Sequence, residues 1–311
     1  MKQLKVAIVG AGIIGLYLAW KLAKRGYQVT VFEKKKEIGK LACSGLFSQR
    51  IFSFIPQAKE LVENEIDSVL IHFPKRTLKI RFSKKFSLMS HLKLDNLVLK
   101  LARRAGAKII LGRSLNSLPK GFDRIIGADG ANSFIRKRLK MKEAKVRLGI
   151  LGFVSKKDNS HFVETWPVKD GFLWYLPRDK EVEYGILAPP KRAKALLDEF
   201  LMRKGVRLKR IGSAVVPQGF SLPSHSSITL CGDAAGLTKP WSGGGVIWGL
   251  ISARLLLQNF PDFLKYKNSA KKFFLLRILV AKLITKMVYF LGFNLPWLLP
   301  KKMKIESDFL F

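Results

Sequence analysis

The chain has 311 residues, of which 48% are hydrophobic, and this composition excludes a disordered protein. Lysine and arginine total 57 against 22 acidic residues, which gives a formal net charge of +35. The basic residues are spread along the whole sequence, so a general compositional bias is favoured over a dedicated nucleic-acid-binding patch, and no nucleic-acid partner is expected.

The sequence indicates a cytoplasmic, reducing location. It contains only two cysteines, Cys43 and Cys231, and Met1 leads into an apolar strand without a secretory signal. The apolar stretch 273–299 is interrupted by basic residues and by Pro296, so no membrane-spanning helix is predicted there. The histidines are too scattered along the chain to predict a metal site.

The first elements predict a βαβ unit. A buried strand from Leu4 to Val9 is followed by a helix from Ile13 to Arg25 and a strand from Gln28 to Phe32. The loop after the first strand, Gly10-Ala11-Gly12-Ile13-Ile14-Gly15, has the spacing of a dinucleotide-binding turn. Glu33 ends the second strand, where such units carry an acidic residue.

The glycines and the acidic residue have separate physical roles in such a unit. Gly10 permits the tight turn, Gly12 lets the backbone approach a pyrophosphate, and Gly15 lets the helix pack closely on the strand. The N-terminus of the helix, beside Ile14, stabilises the charge of the diphosphate. Glu33 would accept hydrogen bonds from ribose hydroxyls and repel a 2′-phosphate, which disfavours NADP at this site.

The remaining elements complete the parallel core, and other segments are predicted to form short strands with turns and then helices. We expect a helix from Leu94 to Ala105 and core strands at Lys108 to Leu111, Arg124 to Ile126 and Ser227 to Cys231. Short strands and turns are predicted around 48–86 and from Val146 to Val216, and helices follow Gly249.

Two further segments indicate that the dinucleotide is FAD. Asp129-Gly130, followed by Arg136, comes after one buried strand, and Gly232-Asp233 comes after another. Small-residue turns that carry an aspartate are expected where the backbone lies against an extended cofactor, and Asp233 is placed to bind polyol hydroxyls. The loop Gly243-Gly244-Gly245 and Val246 open a helix whose N–H groups would stabilise the flavin edge that becomes anionic on reduction.

The predicted fold is thus α/β, with a discontinuous Rossmann-type FAD-binding domain, an inserted antiparallel β-sheet substrate domain and a helical C-terminus. We expect the FAD-binding domain to comprise 1–47, 87–145 and 225–260. The substrate domain is expected at 48–86 and 146–224, and the C-terminal helical segment at 261–311.

The three glycine- and aspartate-containing segments together resemble the flavoprotein superfamily of p-hydroxybenzoate hydroxylase. Within it the chain most resembles the geranylgeranyl reductase family, which includes the archaeal digeranylgeranylglycerophospholipid reductases. The narrower resemblance is carried by the loop Leu41-Ala42-Cys43-Ser44-Gly45-Leu46, the aromatic-Pro hairpin that begins at 170–177, and the loop 232–245. The chain departs from the family where an arginine often reaches the FAD, because His91 stands four residues before Asp95. Trp248 also stands where a small residue is usual, and the chain is shorter than typical members.

The resemblance implies an FAD-dependent reductase that saturates C=C bonds in the geranylgeranyl chains of membrane ether phospholipids. It implies an isoprenoid lipid substrate and an external electron donor, NAD(P)H or ferredoxin-like, between which the sequence does not decide. Cys43 is the candidate catalytic residue, with a small buried apolar residue as the alternative. Ala42 and His91 are candidate cofactor contacts, and the candidate substrate contacts are Gly45, Trp174, Tyr175, Trp241 and Trp248.

Two alternatives remain open on the sequence. One is a group-A flavin monooxygenase or a flavin-dependent halogenase acting on a small aromatic or apolar substrate, although the sequence identifies no proton-donating lysine for a halogenase. The other concerns the C-terminal segment, rich in Phe, Leu, Trp and Lys. It is either an interfacial helical region docking on the inner face of the cell membrane or a helical layer packing on the FAD domain.

Overall fold

The computed structural model of the chain describes residues 3–39, 42–178 and 180–305. Leu41, at the start of the cysteine loop, Asp179, in a predicted turn, and 306–311, in the predicted C-terminal segment, lie outside the described residues.

The helices and strands agree closely with the predicted elements of the N-terminal half. The helices are α1 (Ile13–Lys24), α2 (Ile51–Phe54), α3 (His91–Arg104), α4 (Phe134–Arg138), α5 (Pro190–Lys204), α6 (Val246–Asn259) and α7 (Phe263–Asn294). The strands are β1 (Lys5–Val9), β2 (Gln28–Phe32), β3 (Leu46–Ser48), β4 (Val62–Phe73), β5 (Arg76–Met89), β6 (Lys108–Ile110), β7 (Arg124–Gly127), β8 (Lys145–Val154), β9 (Phe162–Val168), β10 (Gly171–Arg178), β11 (Glu181–Ala188), β12 (Lys209–Gln218), β13 (Ile228–Leu230) and β14 (Lys302–Ile305). Short 3₁₀ helices lie at Pro56–Leu61, Gly232–Ala235 and Pro296–Leu298.

The first sheet is parallel and has the strand order β13-β7-β1-β2-β6 within the described residues. β1 lies at its centre, and its residues from Val6 to Val9 are buried, as expected for a strand covered on both faces. Helices α1, α3 and α6 pack together beside this sheet. This α/β arrangement confirms the predicted Rossmann-type fold and brings the carboxyl ends of β1, β2 and β7 to one edge, where ligands of such sheets bind.

The second sheet contains nine of the described strands, in the order β12-β8-β11-β10-β9-β4-β5-β14, with β3 paired to β5. The prediction of an antiparallel sheet was wrong in part, because β4 pairs in parallel with β9 and β14 in parallel with β5. These parallel pairs join segments that are far apart in sequence. The sheet is therefore mixed, and the hairpins β4–β5 and β10–β11 supply its antiparallel part.

Helix α5 was missed by the prediction of short strands from Val146 to Val216. Its buried residues Ala193, Leu197 and Leu201 recur every four positions and pack on the outer face of β8 and β11. Gly205 ends the helix in the left-handed conformation, with φ of 62°. The second sheet thus has one face against α5 and the other free to line a cavity.

The C-terminal part is helical as expected and returns to the second sheet through β14. Helix α7 buries Tyr266, Ala270, Phe274 and Ile278 against the first domain. In the described part of the chain, no helix is both long and apolar enough to cross a membrane.

Candidate functional site

A cavity of about 1170 Å³ lies between the two sheets. One part is lined by the residues that follow β1, β2 and β7, including Gly10, Glu33 and Asp129, and the other by apolar side chains of the second sheet and α7. Its volume exceeds the usual range of about 300–1000 Å³ for small-ligand pockets. The cavity has room for an extended cofactor and a second ligand.

The glycine turn at the end of β1 forms one wall of the cavity and fits a pyrophosphate. A Cβ at Gly10 would lie 2.4 Å from the carbonyl oxygen of Ala128, and one at Gly15 would lie 2.0 Å from that of Gly10. By contrast, nothing lies within 4 Å of the Cβ position of Gly12, which lines the cavity. Helix α1 begins directly after Gly12 without a side-chain cap, so its N–H groups are available to an anion.

Glu33 and Asp129 extend this wall with carboxylate oxygens. Glu33 accepts hydrogen bonds from the backbone N–H groups of Ala11 at 2.8 Å and Lys35 at 3.0 Å, which fixes its carboxylate at the cavity. Asp129 accepts from the N–H of Ile135 through Oδ2 at 3.1 Å, whereas its buried Oδ1 has no hydrogen-bond partner. Burial raises the pKa of Asp129, and an unpaired buried oxygen of this kind is what a cofactor hydroxyl would satisfy.

The loop before α6 forms another part of the wall. Asp233, Gly243, Gly244 and Gly245 line the cavity, and a Cβ at Gly245 would stand 2.5 Å from Oδ1 of Asp233. Helix α6 begins after Gly245 at Val246, again without a side-chain cap. The cavity therefore has two uncapped helix N-termini and one unpaired carboxylate oxygen, that of Asp129, on its wall, and these groups fit the phosphates and hydroxyls of FAD.

Most of the predicted cofactor residues line this cavity. They are Gly10, Gly12, Ile14, Glu33, Ala42, His91, Asp129, Gly130, Asp233, Gly243, Gly244, Gly245 and Val246. Gly15, Arg136 and Gly232 lie behind the wall instead. Arg136 is 3% exposed and donates to the carbonyl of Ala234, so it fixes the Asp233 turn rather than lining the cavity.

The predicted substrate contacts divide in the same way. Trp174 and Trp241 line the cavity. Tyr175 points to the other face of β10, where it packs under α5 and its hydroxyl donates to Asp158, because neighbouring residues of a strand face opposite sides. Trp248 is fully buried between Trp241 and Phe274, with ring centroids 6.1 and 5.5 Å away, so the indole belongs to the core.

Gly45 also does not line the cavity, and backbone packing explains why a glycine is required there. Its φ is +68°, and a Cβ there would stand 2.0 Å from the carbonyl oxygen of Met89. The next residue back, Ser44, accepts a hydrogen bond from Arg178 through its carbonyl. These contacts hold the cysteine loop between β5 and β10 and leave Cys43 on the cavity wall.

The apolar wall contains residues that the sequence analysis did not identify. They are contributed by the second sheet, by α7 and by β14, and include Phe82, Val163, Leu176, Ile284, Val288 and Met303. The helical spacing of 281, 284, 285 and 288 signals an apolar stripe, but only the fold shows that this stripe faces the cavity. Arg113 and Lys239 were also missed, and both line the polar part.

Cys43, His91 and Asp95 meet on the cavity wall beside α3. Nε2 of His91 lies 3.3 Å from Oδ1 of Asp95, one helical turn further on, and the Cys43 thiol also interacts with the ring. Nδ1 of His91 is buried and has no hydrogen-bond partner among the described residues. Burial lowers the pKa of His91, but the charges of Cys43 and Asp95 outweigh it and raise the pKa to about 10. His91 thus occupies the predicted cofactor position but is held by these two residues.

Comparison with known proteins agrees with this geometry. The family model described as FAD dependent oxidoreductase matches residues 5–61. The digeranylgeranylglycerophospholipid reductase of Methanocaldococcus jannaschii is 25% identical over 285 residues, which cover 78% of this chain and 72% of that protein. A kynurenine 3-monooxygenase of Christiangramia forsetii is 23% identical, with 79% of this chain and 70% of that protein covered.

Solved structures share the whole architecture. A geranylgeranyl bacteriochlorophyll reductase-like protein from Thermoplasma acidophilum superposes with a TM-score of 0.79 at 19% identity, covering 92% of this chain and 88% of that one. The flavin-dependent halogenase CmlS gives a TM-score of 0.67 at 18% identity, with coverages of 88% and 62%. The chain is therefore an FAD-dependent oxidoreductase that has the geranylgeranyl reductase-like fold and resembles the digeranylgeranylglycerophospholipid reductases in sequence.

Proposed function

We propose that the protein saturates C=C bonds in the geranylgeranyl chains of membrane ether phospholipids. The observation that carries this proposal is the continuity of one cavity from the glycine turn to a long apolar wall between the second sheet and α7. An isoprenoid chain is apolar and extended, so such a wall would exclude water from it along its length. Relatives named digeranylgeranylglycerophospholipid reductase support the same substrate class.

The protein's own residues would bind the cofactor, orient the alkene and protonate it. The N–H groups at Gly12 and Val246 and the carboxylates of Glu33 and Asp233 would hold FAD, which when bound and reduced supplies a hydride. The apolar wall would keep the alkene dry and fixed in position. Cys43 lines the same cavity, and in this proposal its Sγ–H would protonate the second alkene carbon. In this scheme the substrate domain is 48–86 and 146–224, and the remaining segments hold the cofactor or close the cavity.

The test is reduction of a defined lipid. FAD-loaded protein is reduced with dithionite under anaerobic conditions and incubated with digeranylgeranylglycerophospholipid in mixed micelles. We expect mass spectrometry to show a gain of two hydrogen atoms for each saturated bond. A Cys43→Ala variant with unchanged FAD content should lose most of this activity. An unaltered lipid with the intact protein would overturn the proposal, and full activity of Cys43→Ala would remove Cys43 from the mechanism.

Oxygen-activating chemistry is the competing proposal, because a monooxygenase and halogenases are among the similar proteins. The cavity contains Lys239, which is 8% exposed, so the expected lack of a lysine no longer argues against a halogenase. The two proposals differ in their use of oxygen. NADPH-driven oxygen consumption stimulated by a small aromatic, without lipid reduction, would establish the competing activity.

We further propose that α7 docks on an anionic membrane. Ile284, Thr285 and Val288 line the cavity from one side of this helix. The opposite side exposes large apolar side chains, and Leu276 and Leu283 are each 68% exposed. At about 100° per residue these two groups point in nearly opposite directions, so the helix would separate the bilayer from the lipid cavity. The exposed residues of this apolar face are Leu276, Leu279, Leu283, Met287 and Phe290, with Trp297 and Leu298 beyond the helix.

Sedimentation with vesicles tests the docking. We expect the protein to sediment with phosphatidylglycerol-containing vesicles, and the double variant Leu276→Asp/Leu283→Asp to remain in the supernatant. Met202→Asp on α5 is the matched control, since Met202 is 76% exposed and lies away from α7. Failure of the intact protein to sediment, or equal binding by the double variant, would contradict the docking surface.

A further inference from the structure

His91 has an environment that cofactor binding alone does not explain. Its side chain is 7% exposed, and one ring nitrogen lies 3.3 Å from the carboxylate of Asp95, itself 2% exposed. The ring of Phe47 covers it, with centroids 5.9 Å apart. The remaining neighbour that interacts with the ring is the thiol of Cys43 at the cavity wall. A buried imidazole therefore lies beside both a carboxylate and a thiol, and its Nδ1 has no hydrogen-bond partner among the described residues.

This arrangement matches the physical requirements of an activated cysteine. A thiol loses its proton more readily beside a protonated imidazole, and a carboxylate next to the ring favours that protonated form. The other cysteine shows the contrast. Cys231 is 1% exposed, and burial raises its pKa to about 11 despite hydrogen bonds with Ser252 and Tyr266. The chain thus has one cysteine beside an imidazole whose pKa is raised and one in an uncharged core.

We propose that His91 and Asp95 are positioning residues that hold Cys43 as a thiolate–imidazolium pair poised to deliver a proton into the cavity. The inference rests on the proposed function for its use in catalysis, but the ion pair itself does not depend on the substrate. It also gives a reason for a histidine in place of the arginine expected at this position, because the titratable ring can pass on a proton that a guanidinium retains.

The thiolate–imidazolium pair of Cys43 and His91 accounts for the proton that alkene reduction consumes. A hydride, supplied by the reduced cofactor, forms one C–H bond as the C=C π bond breaks. The imidazolium N–H of His91 returns its proton to Sγ of Cys43, and that S–H protonates the second carbon. The thiolate is left beside a neutral imidazole, which takes up one proton from solvent. Asp95 orients the ring throughout.

The thiolate is tested by the pH dependence of alkylation in the FAD-loaded protein. The rate of iodoacetamide labelling at each cysteine is followed by peptide mass spectrometry from pH 5 to 10. We expect the midpoint for Cys43 to lie below the value of about 8.5 for an ordinary thiol. In His91→Gln the midpoint should rise by at least about one pH unit, so labelling at pH 7 should slow about tenfold. Asp95→Asn should raise it in the same direction.

Matched controls keep the result specific. Cys43→Ser identifies the labelled peptide, and His161→Gln changes a histidine that does not line the cavity and whose ring contacts the Glu65 carbonyl. A wild-type midpoint at or above 8.5, or an unchanged midpoint in His91→Gln, would overturn the pair. If His91→Gln does not fold, an unchanged midpoint of Cys43 labelling in Asp95→Asn would overturn the pair instead. These outcomes do not involve an isoprenoid, so failure of lipid reduction is distinguishable from failure of the pair.

Discussion

Gly12 and Gly15 stand three residues apart in the same turn, yet an added methyl group would meet different surroundings at each. At Gly12 it would enter open cavity space, whereas at Gly15 it would stand 2.0 Å from the backbone oxygen of Gly10. The first position therefore leaves room for a ligand, and the second is required by the packing of α1 on β1. Alanine substitution at each of the two glycines therefore separates an effect on ligand binding from an effect on the stability of the fold.

We predict opposite outcomes for alanine at these two glycines. Gly12→Ala should lower the free energy of unfolding of the FAD-free protein by only about 1 kcal/mol, because its φ of −76° is accessible to alanine although alanine is a poorer N-cap than glycine. It should weaken FAD binding at least tenfold. Gly15→Ala should lower the free energy of unfolding by about 2–4 kcal/mol through backbone displacement. Urea denaturation and titration of flavin fluorescence measure both quantities. Equal FAD affinity in Gly12→Ala would show that the open space is not the cofactor's.

At this scale most of the predicted cofactor residues line the cavity, whereas two of the four predicted aromatic contacts, Tyr175 and Trp248, do not. The glycine turn and Asp129 follow strands whose order in the chain already implies one edge of a parallel sheet. Trp248 and Tyr175 could not be assigned in the same way. Whether a tryptophan after the glycine loop faces a cavity or Phe274 depends on how α6 and α7 pack, which is a long-range property of the fold.

The hairpin of β10 and β11 fixes the cysteine loop through a buried ion pair. Arg178 lies 2.8 Å from Glu183, which is fully buried and also accepts from Nε1 of Trp174 at 2.8 Å. Burial raises the pKa of Glu183, and Arg178 opposes this shift. The same guanidinium donates to the carbonyl of Ser44. One arginine therefore joins the second sheet to the residue beside Cys43.

We predict that Arg178→Met lowers the free energy of unfolding by about 3–5 kcal/mol, because it leaves the Glu183 carboxylate buried without its cation. The double variant Arg178→Met/Glu183→Leu should lose less than the single variant, since no charge is then stranded. Arg210→Met provides the control: this arginine is 64% exposed in its pair with Glu181, so the loss should stay below about 1 kcal/mol. Urea denaturation measures all three. A double variant with a lower free energy of unfolding than Arg178→Met would show that Glu183 is not destabilised by the loss of its cation.

Elements differ in how far local sequence determined them. α5 was predictable in principle, because Pro190 at its start, Gly205 at its end and buried residues every four positions are local signals. The parallel pairing of β14 with β5 was not, since it joins residues more than two hundred positions apart. The mixed second sheet follows from such distant pairings, and so does the α7 wall of the cavity.

The whole molecule combines a strong positive charge with an exposed apolar helix. The net charge is +35, and lysines such as Lys282 and Lys286 are exposed beside the apolar face of α7. Charge and apolar burial contribute to membrane binding by different physical routes. Electrostatic attraction to anionic lipid is screened by salt, whereas apolar burial is not.

We therefore predict that the two contributions can be separated by salt. Raising NaCl from low to high concentration should weaken binding to phosphatidylglycerol-containing vesicles, and Lys282→Glu/Lys286→Glu should reduce both the low-salt affinity and its salt dependence. Each lysine near the surface is worth about 1 kcal/mol. Leu276→Asp/Leu283→Asp should instead abolish the binding that remains at high salt. Vesicle sedimentation across a salt series measures both. Binding by the lysine variant that keeps the full salt dependence of the unmodified protein would place the electrostatic contact elsewhere on the molecule.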